Sequence, residues 1–110
     1  MPKRGRREKQ IESRVCKHAL EKLRVPNIPL KLHLGTTNGW PDRVFLVGSG
    51  SVLFIEFKDP DEGEVEILQQ RMMNMLKELG YNVQVHDNAV EALEAIARAK
   101  VDAARLSEEG

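Results

Sequence analysis

The sequence predicts one α/β domain, residues 1–110, of element order α-β-β-β-α-β-α around a mixed sheet. Three observations carry that reading. Two stretches repeat apolar residues at three- and four-residue spacings, two β-branched and aromatic runs flank a glycine-serine turn, and a short alternating run precedes an alanine-rich segment. A hydrophobic fraction of 41% and a charged fraction of 31% suit one modest core.

Ile11, Val15, Ala19, Leu20 and Leu23 define one face of a first helix over Glu8–Leu23, which Pro26 and Pro29 stop. Leu30, Leu32 and Leu34 alternate with Lys31 and His33, predicting a strand before a turn marked by Gly35, Asn38 and Gly39. Val44–Val47 and Val52–Phe57, separated by Gly48-Ser49-Gly50-Ser51, predict two antiparallel central strands around a tight turn. The polar stretch 59–63 forms a loop. A second helix spans Glu66–Leu79, with Gly80 at its left-handed C-terminal position. Asn82–His86 alternates as a fourth strand, and Asn88 caps a third helix through about Lys100. Residues 101–110 extend that helix or fray.

No run approaches the roughly 20 apolar residues of a membrane span, and the basic start lacks the apolar stretch of a signal peptide, so an intracellular setting is expected. Cys16 is the single cysteine, which excludes an intrachain disulfide and a cysteine-cluster zinc site. Seventeen basic and seventeen acidic residues cancel. Lys3, Arg4, Arg6, Arg7 and Lys9 nevertheless crowd one end, either as a solvated terminus or as an arm that contacts phosphates.

The chemistry-bearing residues lie on the central strands. In Phe54-Ile55-Glu56-Phe57-Lys58 the two-residue period puts Glu56 and Lys58 on one face, Ile55 and Phe57 on the other. Pairing around the glycine-serine turn brings Asp42 beside Glu56 at the same end. Two carboxylates so close repel unless a proton or cation intervenes, and hard oxygen ligands with room for water suit Mg²⁺, with Mn²⁺ as substitute. Such a metal with a neighbouring lysine meets the needs of phosphodiester hydrolysis. An isolated E-x-K is more often a surface ion pair. Here it is joined by Pro41-Asp42, a glycine-rich turn and an immediately following helix.

These residues resemble the PD-(D/E)xK nuclease signature, and the wider pattern is similar to the virus-type replication-repair nuclease (VRR-NUC) family. The resemblance covers most of the chain: Glu12, Gly39-Trp40-Pro41-Asp42, Phe54-Ile55-Glu56-Phe57-Lys58, Gln69 with Leu76 and Gly80, then Tyr81-Asn82-Val83-Gln84-Val85. It implies a restriction-endonuclease-like three-layer core that binds Mg²⁺ or Mn²⁺ through Asp42, Glu56 and the Phe57 backbone carbonyl. It also implies Lys58 as the catalytic lysine, Glu12 as a helical glutamate supporting the metal directly or through water, and Gln69, rather than Gln70, as the glutamine bordering the site. Stand-alone members, of phage or bacterial type, act on branched DNA such as Holliday junctions. Flaps, nicks, single strands and a catalytically silent DNA-binding role remain open alternatives.

One active site cuts one strand, so symmetric junction cleavage calls for a homodimer, with Met72, Met73 and Met75 as interface or core residues. No organic cofactor and no membrane partner are expected. Trp40 either stacks on an unpaired base or packs its loop. His18, His33 and His86 lack ligand spacing, and Cys16 has no base partner.

Overall fold

The computed structural model describes residues 6–31, 39–61 and 65–109. Helix α1 (Arg6–Leu23) buries Val15 and Ala19 completely. It ends before either proline acts. Arg24 turns left-handed at φ 59°, and the Val25 N–H returns to the Ala19 carbonyl at 2.9 Å, satisfying a carbonyl of the last turn.

The first strand, β1 (Asn27–Pro29), lies earlier than the alternation of residues 30–34 predicts. Leu30 and Lys31 are helical instead, and residues 32–34 fall outside the described residues. The reason is a competing anchor: the Leu30 N–H donates to the Asp42 carbonyl at 3.0 Å, and the Lys31 side chain is drawn to carboxylates. Pro29 suits an edge strand because it has no N–H to leave unpaired.

Strands β2 (Arg43–Gly48) and β3 (Ser51–Phe57) form the expected antiparallel hairpin. Ser49 and Gly50 both take positive φ, the backbone of a two-residue turn that matches strand twist. Helix α2 (Ile67–Glu78) then returns the chain so that β4 (Asn82–His86) pairs parallel with β3. Gly80, at φ 95°, closes α2 while the Tyr81 N–H bonds to the Leu76 carbonyl. Helix α3 (Ala89–Glu109) starts on the Asn88 side chain, which accepts from the Glu91 N–H at 3.0 Å, and continues well past Lys100. The sheet order is β1-β2-β3-β4, so the sheet is mixed and the predicted element order holds. Among the described residues no helix is long and apolar enough to cross a membrane.

Strand parity sorts the core into two sides. Phe45, Val47, Leu53, Ile55 and Phe57 face α1 and α3, meeting Val15, Ala19, Ala92, Ile96 and Ala103. Val44, Phe54 and Val83 face α2, meeting Met73 and Leu76, with Trp40 and Met72 packed alongside. Three layers result, and each fully buried aliphatic or aromatic side chain contributes about 1.5–3 kcal/mol. The same parity turns Glu56 toward α2.

Gly39 fastens the loop before Asp42 to that helix. At φ 92° a Cβ there would stand 2.5 Å from the Leu68 carbonyl oxygen, whereas at Gly50, φ 77°, nothing lies within 4 Å. Gly39→Ala therefore costs the left-handed penalty of about 1–2 kcal/mol plus a backbone clash, and Gly50→Ala only the first. Urea unfolding of both variants checks this: the Gly39→Ala midpoint falls further, and equal midpoints would refute the close approach.

Candidate active site

Register decides which side chains meet. Arg43 pairs with Ile55 across the β2–β3 ladder, so Asp42, one residue before β2, stands opposite Glu56. Each carboxylate locks into the backbone of the facing strand. Asp42 Oδ2 accepts from the Phe57 N–H at 2.8 Å, and Glu56 Oε1 accepts from the Asp42 N–H at 3.1 Å. Glu56 is buried, Asp42 nearly so.

Two ammonium groups flank the pair. Lys58 Nζ lies 3.2 Å from Glu56 Oε2 and donates to Gln69 Oε1 at 2.9 Å. Lys31 Nζ lies 3.0 Å from Asp42 Oδ1 and 3.4 Å from each Glu56 oxygen, spanning both carboxylates. Gln69 ties α2 to the site: its Nε2 donates to Glu56 Oε2 at 2.6 Å, and its Oε1 also accepts the Glu66 N–H at 3.2 Å. Among the described residues no buried side-chain polar atom lacks a partner.

Charge perturbation concentrates here. Burial raises the Glu56 carboxyl pKa, Asp42 raises it further, and the two lysines pull against both. Burial alone would lower Lys31, but Glu56 and Asp42 outweigh it and the ammonium is held above its ordinary value. Glu8 is raised by burial and then by Asp42, against Lys58 and Lys31, with Asp59 adding to the rise. Glu8 thus belongs to the field of this site.

Asp42, Glu56, Lys58 and Gln69 come together as the sequence predicts, and Gln70 instead bonds Asn74 on the surface. The Phe57 backbone is part of the same frame through its N–H. Glu12 is differently engaged: its Oε2 accepts from Arg43 Nε at 2.6 Å, and Arg43 Nη1 reaches Asn27 Oδ1 at 2.7 Å. It still borders a cleft of about 340 Å³ shared with Lys9, Lys31 and Asp42. Arg7 of the basic arm pairs with Asp61. Lys3 and Arg4 lie outside the described residues, as does the Arg6 side chain. Trp40 is half-buried against the α2-side core, His18 is exposed, and His86 bonds Gln84 at 2.7 Å. A groove of about 730 Å³ between β4 and α3 contains none of the site residues.

Sequence reasoning missed Lys31 and Glu8. Glu8 had a signal, standing four residues before Glu12 on the same helical face. Lys31 had none, because it reads as the polar member of an alternating strand.

Among the described residues no three His, Cys, Asp or Glu side chains converge on one point. A Mg²⁺ site does not require three, since that ion keeps several waters and takes one or two carboxylates. The donor set fits: two interlocked carboxylates already hold a positive charge between them, that of Lys31. No known protein-family model matches the chain, and neither does any curated protein.

Cys16, packed against the α1-side core, has its thiol pushed up to about 11, chiefly by burial, with Arg43 lowering it and Glu12 and Asp42 raising it. A raised thiol pKa removes thiolate at any pH below it: against an ordinary value of 9.0, about a tenth is ionised at pH 8, here about a thousandth. Iodoacetamide at pH 8 should label Cys16 roughly 100-fold more slowly in the folded protein than in urea. Comparable rates would contradict the burial.

Proposed function

We propose that this protein is a metal-dependent DNA endonuclease that hydrolyses phosphodiester bonds in branched DNA such as Holliday junctions. The observation carrying this reading is the reciprocal Asp42–Glu56 lock with the Lys31 ammonium seated between the carboxylates and Lys58 alongside. Asp42 and Glu56 would hold Mg²⁺, or Mn²⁺ in its stead, with the Phe57 carbonyl as a further ligand and Glu8 or Glu12 acting through water. When bound, the ion supplies Lewis acidity toward a phosphoryl oxygen and a lowered pKa for water.

The chain's own groups do the remaining work. Lys58, held by the Gln69 amide oxygen, orients the attacking water and offsets negative charge growing on the scissile phosphate. Gln69 fixes Glu56 from the other side, so the carboxylate cannot swing away. Lys9 borders the cleft and contacts the phosphate backbone.

Labelled four-way junction, flap, splayed and linear DNA, each with Mg²⁺ or Mn²⁺, test the reading. Junction cleavage is expected, with Asp42→Ala inactive, Lys58→Ala slower by about 10²–10⁴-fold, and junction binding retained. A wild-type protein that cuts no substrate, or variants that cut undiminished, would end it.

A second copy completes symmetric cleavage, and α2 carries a surface for it. Leu68, Met72, Met75 and Leu79 recur at 4-3-4 spacing, the seam of a coiled coil, while Leu68, Met75 and Leu79 stay 50%, 44% and 67% exposed. In an antiparallel pair of these seams Leu68 would face Leu79 of the partner subunit, and Arg71 would come near Glu78 of the partner subunit, opposite in charge. Met73, by contrast, is core. Sedimentation should give a dimer for the wild type and a monomer with unchanged circular dichroism for Met75→Glu. A monomeric wild type at micromolar concentration rules this surface out.

A further inference from the structure

Four charges meet at the site: the carboxylates of Asp42 and Glu56 and the ammonium groups of Lys31 and Lys58. Two negative and two positive groups already balance. A divalent cation entering with both lysines in place would leave an excess of two positive charges in a partly buried spot, which Coulomb repulsion opposes. One lysine must therefore withdraw.

The two lysines are not equivalent. Lys58 is 13% exposed and has a neutral anchor in Gln69 Oε1. Lys31 is 46% exposed, and among the described residues its ammonium bonds the two carboxylates and no neutral group. It follows the edge strand β1 and opens onto the cleft shared with Lys9 and Asp42, so it has an exit toward solvent. Its contacts are also those a cation bridging the pair would make, since Asp42 Oδ1 and both Glu56 oxygens converge on Nζ.

We propose that Lys31 is the resident counter-ion of the Asp42–Glu56 pair: it holds the carboxylates together without metal and is displaced when a divalent ion binds. The inference rests on the metal-site reading above. Binding of metal and retention of Lys31 are mutually exclusive, so the side chain lowers apparent metal affinity while stabilising the metal-free fold. Once displaced, its ammonium stands in the cleft where a DNA phosphate can take it up.

Calorimetric titration with Mn²⁺ alone, on wild type, Lys31→Met and Lys31→Arg, tests this, with melting followed in EDTA and in Mn²⁺. Lys31→Met should bind Mn²⁺ about tenfold more tightly, and Lys31→Arg should not, since it keeps the competing charge. In EDTA Lys31→Met should melt below wild type, and Mn²⁺ should close that gap. If Lys31→Met does not fold without metal, Lys31→Gln, whose amide still bonds one carboxylate, replaces it in the titration. Equal Mn²⁺ affinity in wild type and the uncharged variants overturns the proposal and leaves the metal site standing, provided Asp42→Asn abolishes binding. No Mn²⁺ binding by any of them overturns both.

Discussion

The structure turns on one constraint: Asp42 and Glu56 cannot avoid each other. Hairpin register brings them opposite, and each carboxylate is then spent on the other strand's backbone, at Phe57 and Asp42. These bonds extend the β2–β3 pairing past the first ladder residue, with side chains standing in for carbonyls. Burying a carboxylate such as Glu56 is costly unless it is paired and hydrogen-bonded. Lys31, Lys58 and Gln69 supply that compensation. The carboxylate pair is consequently the clasp of the hairpin.

Helix α2 depends on the same clasp. Gln69 closes its first turn by accepting the Glu66 N–H while its amide nitrogen holds Glu56 and its oxygen holds Lys58. One side chain therefore links helix start, strand end and Lys58. The Glu56 charge lies near the helix N-terminus, where the backbone dipole favours an anion. Gly39 pulls the loop before Asp42 against the same turn at Leu68. Loop, strand and helix are thus positioned by short-range contacts around one pair of charges.

How far the sequence anticipates this arrangement follows from the range of each signal. Period two on Phe54–Lys58 and the glycine turn are local, and they suffice to put Glu56 and Lys58 on one face and Asp42 opposite. The helices over Arg6–Leu23 and Ile67–Glu78 follow from apolar spacing. The first strand does not, because its position is decided by pairing of Asn27 with Phe45 and by the Leu30 bond to Asp42, both long-range. Lys31 escapes for the same reason: its role exists only through residues eleven and twenty-five positions away. For the third helix the structure takes the extension over the frayed alternative, since residues 101–109 keep helix-forming side chains with no glycine or proline to stop them.

The two glutamates of α1 divide along similar lines. Residues four apart on a helix share a face, so sequence alone offers Glu8 and Glu12 on equal terms. What separates them is Arg43. Its guanidinium is held between Glu12 and Asn27, joining α1 to β1 at the base of the cleft, and a carboxylate so engaged gives up that pairing to turn elsewhere. Glu8 meets the opposite situation: burial and Asp42 disfavour its charge, Lys58 and Lys31 favour it, and the net result is a raised carboxyl. A carboxyl destabilised by a neighbouring carboxylate gains from a cation between them. The helix therefore contributes to the fold through Glu12 and to the electrostatics of the Asp42–Glu56 pair through Glu8, one turn apart.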